Sequence, residues 1–343
     1  MQCKLVTIIP RCKTVVYCGV AHQRADWRRH RGECTPLPAY RVVVVEGKGR
    51  GLVATRTLEV GELVMSEKPL LVMSGPDSLA SCMEMLKKYD ELPDAVKTRI
   101  KDMAVDETGS RFDNEFWVRD NKDWVLLMKI FATNCVELPD EGYALYDKPS
   151  FINHSCSPNV YVKTYREGGM VVRVCRRVKE GEEILVNYRC RKISTREERM
   201  AEMKGRFVCR CDLCALTGDD LKRNEIARKV IQQLEKKVQE VWMRREYPLA
   251  FKVQVQKVEA MEKIKDELVL QLPEALSQCY RLAVLAGREE EAARYKERTL
   301  ALFTTLGGRE EWRNKVEEHL RQWAIKNQDP QYGRNAKASR PGN

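Results

Sequence analysis

Apolar and polar positions along the chain fall into strand-like and helix-like stretches. Residues 39–72 are strand-like, because Val42 to Val45 is an unbroken β-branched run and Thr55 to Lys68 turns at Gly61-Glu62 before a second apolar stretch. Between residues 77 and 132 the spacing becomes helical, with Leu79, Cys82, Met83 and Leu86 on one face and Trp117, Trp124, Leu127 and Met128 on later ones. Residues 143–188 return to strands. There Glu167-Gly-Gly169 predicts a hairpin turn between Val160-Tyr-Val162 and Val171-Val-Arg-Val174. Beyond Cys214 the pattern is helical almost to the end, and Ile226, Val230, Leu234, Val238 and Val241 form one apolar stripe at three- and four-residue steps. Residues 270–306 predict a helical hairpin, Leu276 to Ala286 and Ala292 to Leu306, broken at Gly287-Arg288. The final residues, Gly333 to Asn343, are polar and predicted to be disordered.

These stretches imply an α+β protein in four parts. Residues 1–38 form a small Cys/His-rich segment closed by Thr35-Pro-Leu-Pro38, and residues 39–215 form a β-rich domain with a helical insert at about 77–132 and a cysteine cluster at its end. Residues 216–328 form a helical region and residues 329–343 a tail.

At 343 residues the chain has room for two domains or one with appendages. Its hydrophobic fraction is an ordinary 43%, and no apolar run approaches the roughly 18 residues needed to span a bilayer, so no membrane partner is expected. The 13 cysteines are odd in number, some cluster at metal-ligand spacing, and the N-terminus lacks a signal-peptide pattern. A reducing setting, nucleus or cytoplasm, fits that usage better than secretion. The formal charge of +11 is local in origin, since residues 1–50 hold ten basic and three acidic side chains and residues 161–210 hold fourteen and seven. Such patches could attract nucleic acid or an acidic partner, or be ordinary solvated faces. They lack the aromatic-basic interleaving of single-strand binders.

The chemistry concentrates in two linked signatures. Phe151-Ile-Asn-His-Ser-Cys-Ser-Pro-Asn159 ends its polar run near Cys156, and Cys209-Arg-Cys-Asp-Leu-Cys214 sets three thiols at C-x-C-x2-C spacing. Cys156 with Cys209, Cys211 and Cys214 would complete a tetrahedral zinc site tying distant segments together. An iron-sulfur centre is the other S4 option, but closed thiolate sites that tie down chain segments are more commonly zinc. Between the signatures, Gly181-Glu-Glu-Ile-Leu-Val-Asn-Tyr188 is an acidic turn entering a short apolar strand that ends on tyrosine. Upstream lies the glycine-rich Glu46-Gly-Lys-Gly-Arg-Gly-Leu-Val-Ala54. Only four histidines are present, His22, His30, His154 and His319, and none sits in a pattern that suggests a nucleophilic triad.

In this order the motifs resemble the SET-domain protein lysine methyltransferases. The resemblance implies a SET-type β-fold with a pseudoknot and a post-SET zinc site, S-adenosylmethionine as cofactor, and a lysine of a histone tail or another protein as substrate. It implies Tyr188 as the catalytic tyrosine, which also borders the cofactor, and Lys48, Arg50, Asn134, Asn153, His154 and Phe207 as cofactor-contacting residues. Familiar members often carry a tyrosine two residues before that phenylalanine, where this chain has Gly205. Either another aromatic fills the gap or the lysine channel is wider and the activity weaker.

Cys12-Lys-Thr-Val-Val-Tyr-Cys18, followed by His22, Asp26-Trp27, His30 and Cys34, resembles the second half of a MYND zinc finger. A full finger needs eight ligands for two zincs; here Ile9 and His22 stand where cysteines are usual, and the first pair is missing. Cys12, His30 and Cys34 could hold one zinc with help from Cys3, whereas Cys18 and His22 alone cannot close a site. The alternative is a degenerate finger whose cysteines pack as small hydrophobes. Together the segments resemble the SET and MYND domain family, with the finger preceding the glycine-rich loop instead of being inserted after it. The helical hairpin resembles a tetratricopeptide-like unit, which would serve as a peptide groove or simply cover the core. The reading is a protein-lysine N-methyltransferase; the competing one is an adaptor with a vestigial SET core that binds peptide partners through the finger and the helical region in transcriptional regulation.

Overall fold

The computed structural model describes residues 7–8, 16–17, 21–22, 24–26, 38–73, 79–105, 121–139, 142–188, 193–264, 268–307 and 310–328. In the N-terminal segment, β1 (Thr7–Ile8) pairs antiparallel with β2 (Val16–Tyr17). Cys12, Cys18, His30 and Cys34 lie outside the described residues, as do Trp117 and the polar C-terminal stretch, whereas His22 is described and exposed.

The β-rich domain is built from small sheets wrapped round one core. The β-branched run forms β3 (Tyr40–Val45), which turns through Gly47 into β4 (Gly49–Ala54); Gly47 and Gly49 have φ of 70° and 75°, the left-handed region that favours glycine. Next come β5 (Leu63–Glu67) and β6 (Leu71–Met73), the helical insert, then β7 (Val136–Glu137), β8 (Tyr143–Leu145), β9 (Asn153–His154), β10 (Val160–Thr164), β11 (Met170–Val174) and β12 (Glu183–Val186). Three sheets result, in the orders β10-β11-β5, β3-β4-β12-β9 and β6-β8-β7. The predicted hairpin at 167–169 joins β10 to β11 with Val160 opposite Val174. Leu52, Leu58, Val64, Ile152, Val172 and Ile184 pack where the sheets meet.

The insert consists of α1 (Leu79–Asp90), α2 (Asp94–Lys101) and α3 (Lys122–Asn134). Cys82, Leu86, Leu127 and Met128 are buried as their spacing predicts, against Leu71 and Met73 of β6. Helix α3 begins where the Asn121 side chain accepts from the Trp124 backbone N–H at 3.2 Å.

After β12 come α4 (Arg196–Met203) and α5 (Asp212–Ala215), with Cys209 and Cys211 between them and Cys214 on α5, and then α6 (Gly218–Met243), α7 (Tyr247–Glu262), α8 (Leu272–Leu285), α9 (Glu289–Gly307) and α10 (Glu310–Gln328). A capping box starts α4. Thr195 Oγ1 accepts from Glu198 N at 3.3 Å, and Thr195 N donates to the Glu198 carboxylate at 2.7 Å. The hairpin predicted at 270–306 is α8 and α9, broken at Gly287 with φ 70°. Tyr161 on β10 donates its hydroxyl to the Leu306 carbonyl at 3.0 Å, which docks the helical region on the sheets.

One sequence expectation is corrected. The stripe on α6 does not face inward along its whole length. Val238 and Val241 are buried, but Ile226 is 63% exposed and Val230 38%. In their place Asn224 and Arg228 are buried, because this half of α6 lies on the irregular segment 193–195 and the start of α4, whose backbone groups need partners. Arg228 donates to Asn224 Oδ1 at 2.7 Å and to the Ser194 carbonyl at 3.4 Å, Gln232 donates to the Ile193 carbonyl at 2.9 Å, and Arg196 N donates to Glu225 at 2.9 Å. A hydrophobic pattern cannot foresee a helix whose buried face begins with polar residues.

Ile231→Ala should therefore cost about 2–4 kcal/mol in urea unfolding of the protein, and Ile226→Ala less than about 0.5 kcal/mol. Equal costs would contradict this facing of α6.

Candidate functional site

The site is assembled where two distant segments run parallel. Asn153 and His154 of β9 pair with Leu185 and Val186 of β12, and Ser155 N donates to the Val186 carbonyl at 2.9 Å. Asn159, with no exposed surface, fastens the same strand: its Nδ2 donates to the Glu183 carbonyl at 2.9 Å and its Oδ1 accepts from Leu185 N at 2.8 Å. Two consequences follow. Tyr188, two residues past the end of β12, is set beside His154, and Cys156 is brought to the thiols of 209–214.

Tyr188 donates its hydroxyl to the Ile152 carbonyl at 2.7 Å, and its backbone N–H donates to His154 Nδ1 at 3.1 Å. Half of the residue faces solvent, but the phenol is desolvated enough that burial, aided by the nearby Glu183 carboxylate, pushes its pKa up to about 12. Because the folded pKa lies above the ordinary value of 10.0, the fold favours the neutral phenol; that contribution is complete below pH 10 and is lost as pH rises through about 12. His154 is buried and its ring centroid lies 5.2 Å from that of Tyr188 and 5.6 Å from that of Phe207. Tyr188 and Phe207 meet edge to face at 6.4 Å and 87°. Both are partly exposed, so the three rings form an aromatic corner open on one side. Gly205, between Lys204 and Arg206, has φ 86°, and a Cβ built there would meet nothing within 4 Å.

The four thiols of Cys156, Cys209, Cys211 and Cys214 converge, with all their Sγ atoms within 4.8 Å of one another. Cys156 Sγ lies 3.9 Å from that of Cys209 and 3.6 Å from that of Cys214. Zinc–thiolate bonds of about 2.3 Å in a tetrahedron put sulfurs about 3.8 Å apart, so the cluster fits that ion. The crowded thiols share their protons unequally: the neighbouring sulfurs, Cys156 first, hold Cys211 well below the usual range and Cys214 at about 6, whereas Cys156 and Cys209 are pushed up. Arg199, 2% exposed, donates to the Ser194 carbonyl at 2.8 Å and contributes to lowering Cys214.

The glycine-rich turn reaches the site through carboxylates. Lys48 Nζ lies 2.6 Å from Glu183, and Asn153 Nδ2 donates both to Glu183 at 2.9 Å and to the Arg50 carbonyl at 3.0 Å. Gly51 permits this approach, since a Cβ there would stand 2.9 Å from Asn153 Nδ2 and 3.0 Å from Glu183 Oε1. Its close contact is thus with the protein's own side chains. The Arg50 guanidinium is paired with Asp102, just after α2, and stacks 4.4 Å from the Phe151 ring centre. Asn134 ends α3 and gives its amide to the Ala104 and Ile130 carbonyls, both at 2.8 Å, which ties the loop after α2 to α3.

Tyr188, His154, Phe207 and the four cysteines therefore come together, with Asn153, Lys48 and Arg50 along one flank. Sequence reasoning passed over Glu183, Asp102 and Asn159. Glu183 and Asn159 lay inside the quoted motifs, whereas Asp102 belongs to the insert and nothing in its surroundings announced a partner 52 residues away.

A family model of the SET domain matches residues 49–189, and one of the MYND finger matches residues 4–34. The chain is 27% identical over 228 residues to the zebrafish (Danio rerio) N-lysine methyltransferase SMYD2-A and 26% identical over 227 residues to human (Homo sapiens) N-lysine methyltransferase SMYD2, each covering 64% of this chain and 50% of the relative. It is 26% identical over 249 residues to mouse (Mus musculus) histone-lysine N-methyltransferase SMYD3, covering 67% of this chain and 54% of the relative. The chain thus spans about half the length of the curated relatives it matches. Among the described residues no helix is long and apolar enough to cross a membrane.

Elemental analysis should find one zinc equivalent fewer in Cys211→Ser than in the parent protein. Equal zinc content in the two proteins would remove the metal from this cluster.

Proposed function

We propose, from the premise that this chain is a SET and MYND domain protein, that it is a protein-lysine N-methyltransferase using S-adenosylmethionine. The observation that carries the proposal is the meeting of Tyr188, His154 and Phe207 in an open aromatic corner beside the thiol cluster. The matching relatives, named as lysine methyltransferases, support the same reading.

The residues fit the cofactor in kind. The faces of Tyr188 and Phe207 would border its adenosyl portion and sulfonium, Asn153 and the backbone of His154 would supply polar contacts, and Lys48 and Arg50 are the cations nearest to hand for its carboxylate. Asn134 is a weaker member of the set, with its amide committed within the insert. When bound, S-adenosylmethionine supplies an electrophilic methyl group.

What the chain contributes is position and exclusion of water. Tyr188 spends its proton on the Ile152 carbonyl, leaving oxygen lone pairs to accept from a lysine amine and aim it. With a pKa of about 12, Tyr188 keeps its proton at neutral pH and does not serve as the base. His154 does not either, since one ring nitrogen takes the Tyr188 N–H and the other faces Cys156. The substrate ammonium must instead lose its proton to solvent before or during entry, helped by desolvation in the corner. We further propose that the zinc of the cysteine cluster is structural, that the protein acts on a histone tail or other protein in the nucleus or cytoplasm, and that residues 39–215 form the catalytic domain. Peptide partners of the finger and helical region belong to the same reading. Nucleic acid draws less support, because Arg173 and Arg199, two of the cations in the basic stretch 161–210, are buried.

An adaptor reading is favoured by a specific observation. Lys48 and Arg50 are both engaged by carboxylates of the protein, Glu183 and Asp102. An incoming ligand carboxylate has to compete with them, and Gly205, with nothing within 4 Å of a Cβ there, leaves open the place where the resemblance puts one wall of the lysine channel.

Tyr188→Phe should lower methyl transfer to a lysine substrate by about 100-fold or more while leaving S-adenosylmethionine affinity within about twofold. Unchanged turnover would remove this role from Tyr188. Asp102→Asn should tighten cofactor binding by up to about fivefold, the worth of a partly exposed ion pair, as read by calorimetry. Weaker binding would show that Asp102 holds Arg50 in place for the ligand.

A further inference from the structure

His154 reaches both Tyr188 and the cysteine cluster with its two ring nitrogens. Its Nδ1 accepts the Tyr188 backbone N–H at 3.1 Å, which requires that nitrogen to be unprotonated. In the neutral ring the proton then sits on Nε2, and Nε2 is 3.3 Å from Cys156 Sγ. An N–H aimed at sulfur suits a thiolate acceptor, the form in which Cys156 would ligate zinc. The ring is 7% exposed and is held between Tyr188 and Phe207, so it cannot swing to satisfy one partner without losing the other.

We propose that His154 is a positioning residue through which the metal state of the cysteine cluster sets the backbone of Tyr188. A zinc-bound Cys156 thiolate anchors Nε2–H, and the anchored ring holds Tyr188 N–H in place. Loss of the metal frees Cys156, the ring loses its anchor, and the tyrosine slackens. The proposal rests on the zinc reading of the cluster but needs no methyl transfer to be tested.

Neighbouring amides provide the measurement. Tyr188 N–H is held by His154, whereas Leu185 N–H, three residues earlier, is held by the Asn159 side chain at 2.8 Å. Hydrogen exchange resolved to single amides, with and without a zinc chelator, should show Tyr188 losing protection on zinc removal while Leu185 keeps it. Two substitutions divide the bridge. Asn places its amide near the position of Nδ1, so His154→Asn keeps an acceptor for Tyr188 but loses Cys156. Its zinc affinity should fall on the order of 10–100-fold, with Tyr188 protection now indifferent to chelator. Gln reaches the position of Nε2, so His154→Gln keeps a donor for Cys156. Its zinc should be retained, with Tyr188 exchanging quickly in either state.

Protection of helix α8 in every sample establishes that the variants are folded. If zinc removal leaves Tyr188 as protected as before in the parent protein, or if its effect survives undiminished in His154→Asn, the coupling is wrong and the zinc site stands. A purified protein that holds no zinc in this cluster overturns both.

Discussion

The parallel pairing of Asn153-His154 with Leu185-Val186 is the constraint from which the site follows. Two residues of parallel ladder are weak by themselves, and the structure reinforces them with a fully buried asparagine. Asn159 uses its side chain as a further rung, donating to Glu183 and accepting from Leu185, so the β9 segment is held at both ends. An unmet amide at such depth would cost about 1–3 kcal/mol, which gives each of these bonds leverage over the register. A slip of one residue would carry Tyr188 away from His154 and Cys156 away from the remaining thiols.

Given that pairing, the chemistry of the site is mostly a matter of what each polar group has already been given. Tyr188 is committed to the Ile152 carbonyl, and His154 to Tyr188 on one side and Cys156 on the other. Lys48 and Arg50 are committed to carboxylates. The aromatic faces of Tyr188 and Phe207 are the part left open. The site is thus pre-organised on its aromatic side and self-occupied on its cationic side, which favours ligands that bring apolar surface and can also displace an ion pair. Partly exposed ion pairs are worth about 0–1 kcal/mol, so displacement is a modest obstacle.

Much of this was legible in the sequence because the informative residues are local in it. The strand hairpin at Glu167-Gly-Gly169, the insert helices with Cys82, Leu86, Leu127 and Met128 inside, and the break at Gly287 all follow from period and turn chemistry. The convergence of Cys156 with Cys209, Cys211 and Cys214 was readable because ligand spacing is distinctive. Partnerships across long separations were not readable. Arg50 looks like a free cation until the insert brings Asp102 to it, and nothing around Asn134 announces that its amide is given to two carbonyls, one of them 30 residues away. The apolar stripe on α6 misled for a related reason: the irregular segment 193–195 drew Asn224 and Arg228 inward and turned Ile226 out.

The central claim is that the corner formed by Tyr188, His154 and Phe207 is a cofactor site and not a relic of one. Calorimetric titration of the zinc-replete protein with S-adenosylhomocysteine addresses it without a known substrate. The account predicts stoichiometric binding in the micromolar range that is lost when Phe207 is changed to Ala in a protein that remains folded. No heat of binding from well-folded, zinc-loaded protein would contradict it and leave the adaptor reading in its place.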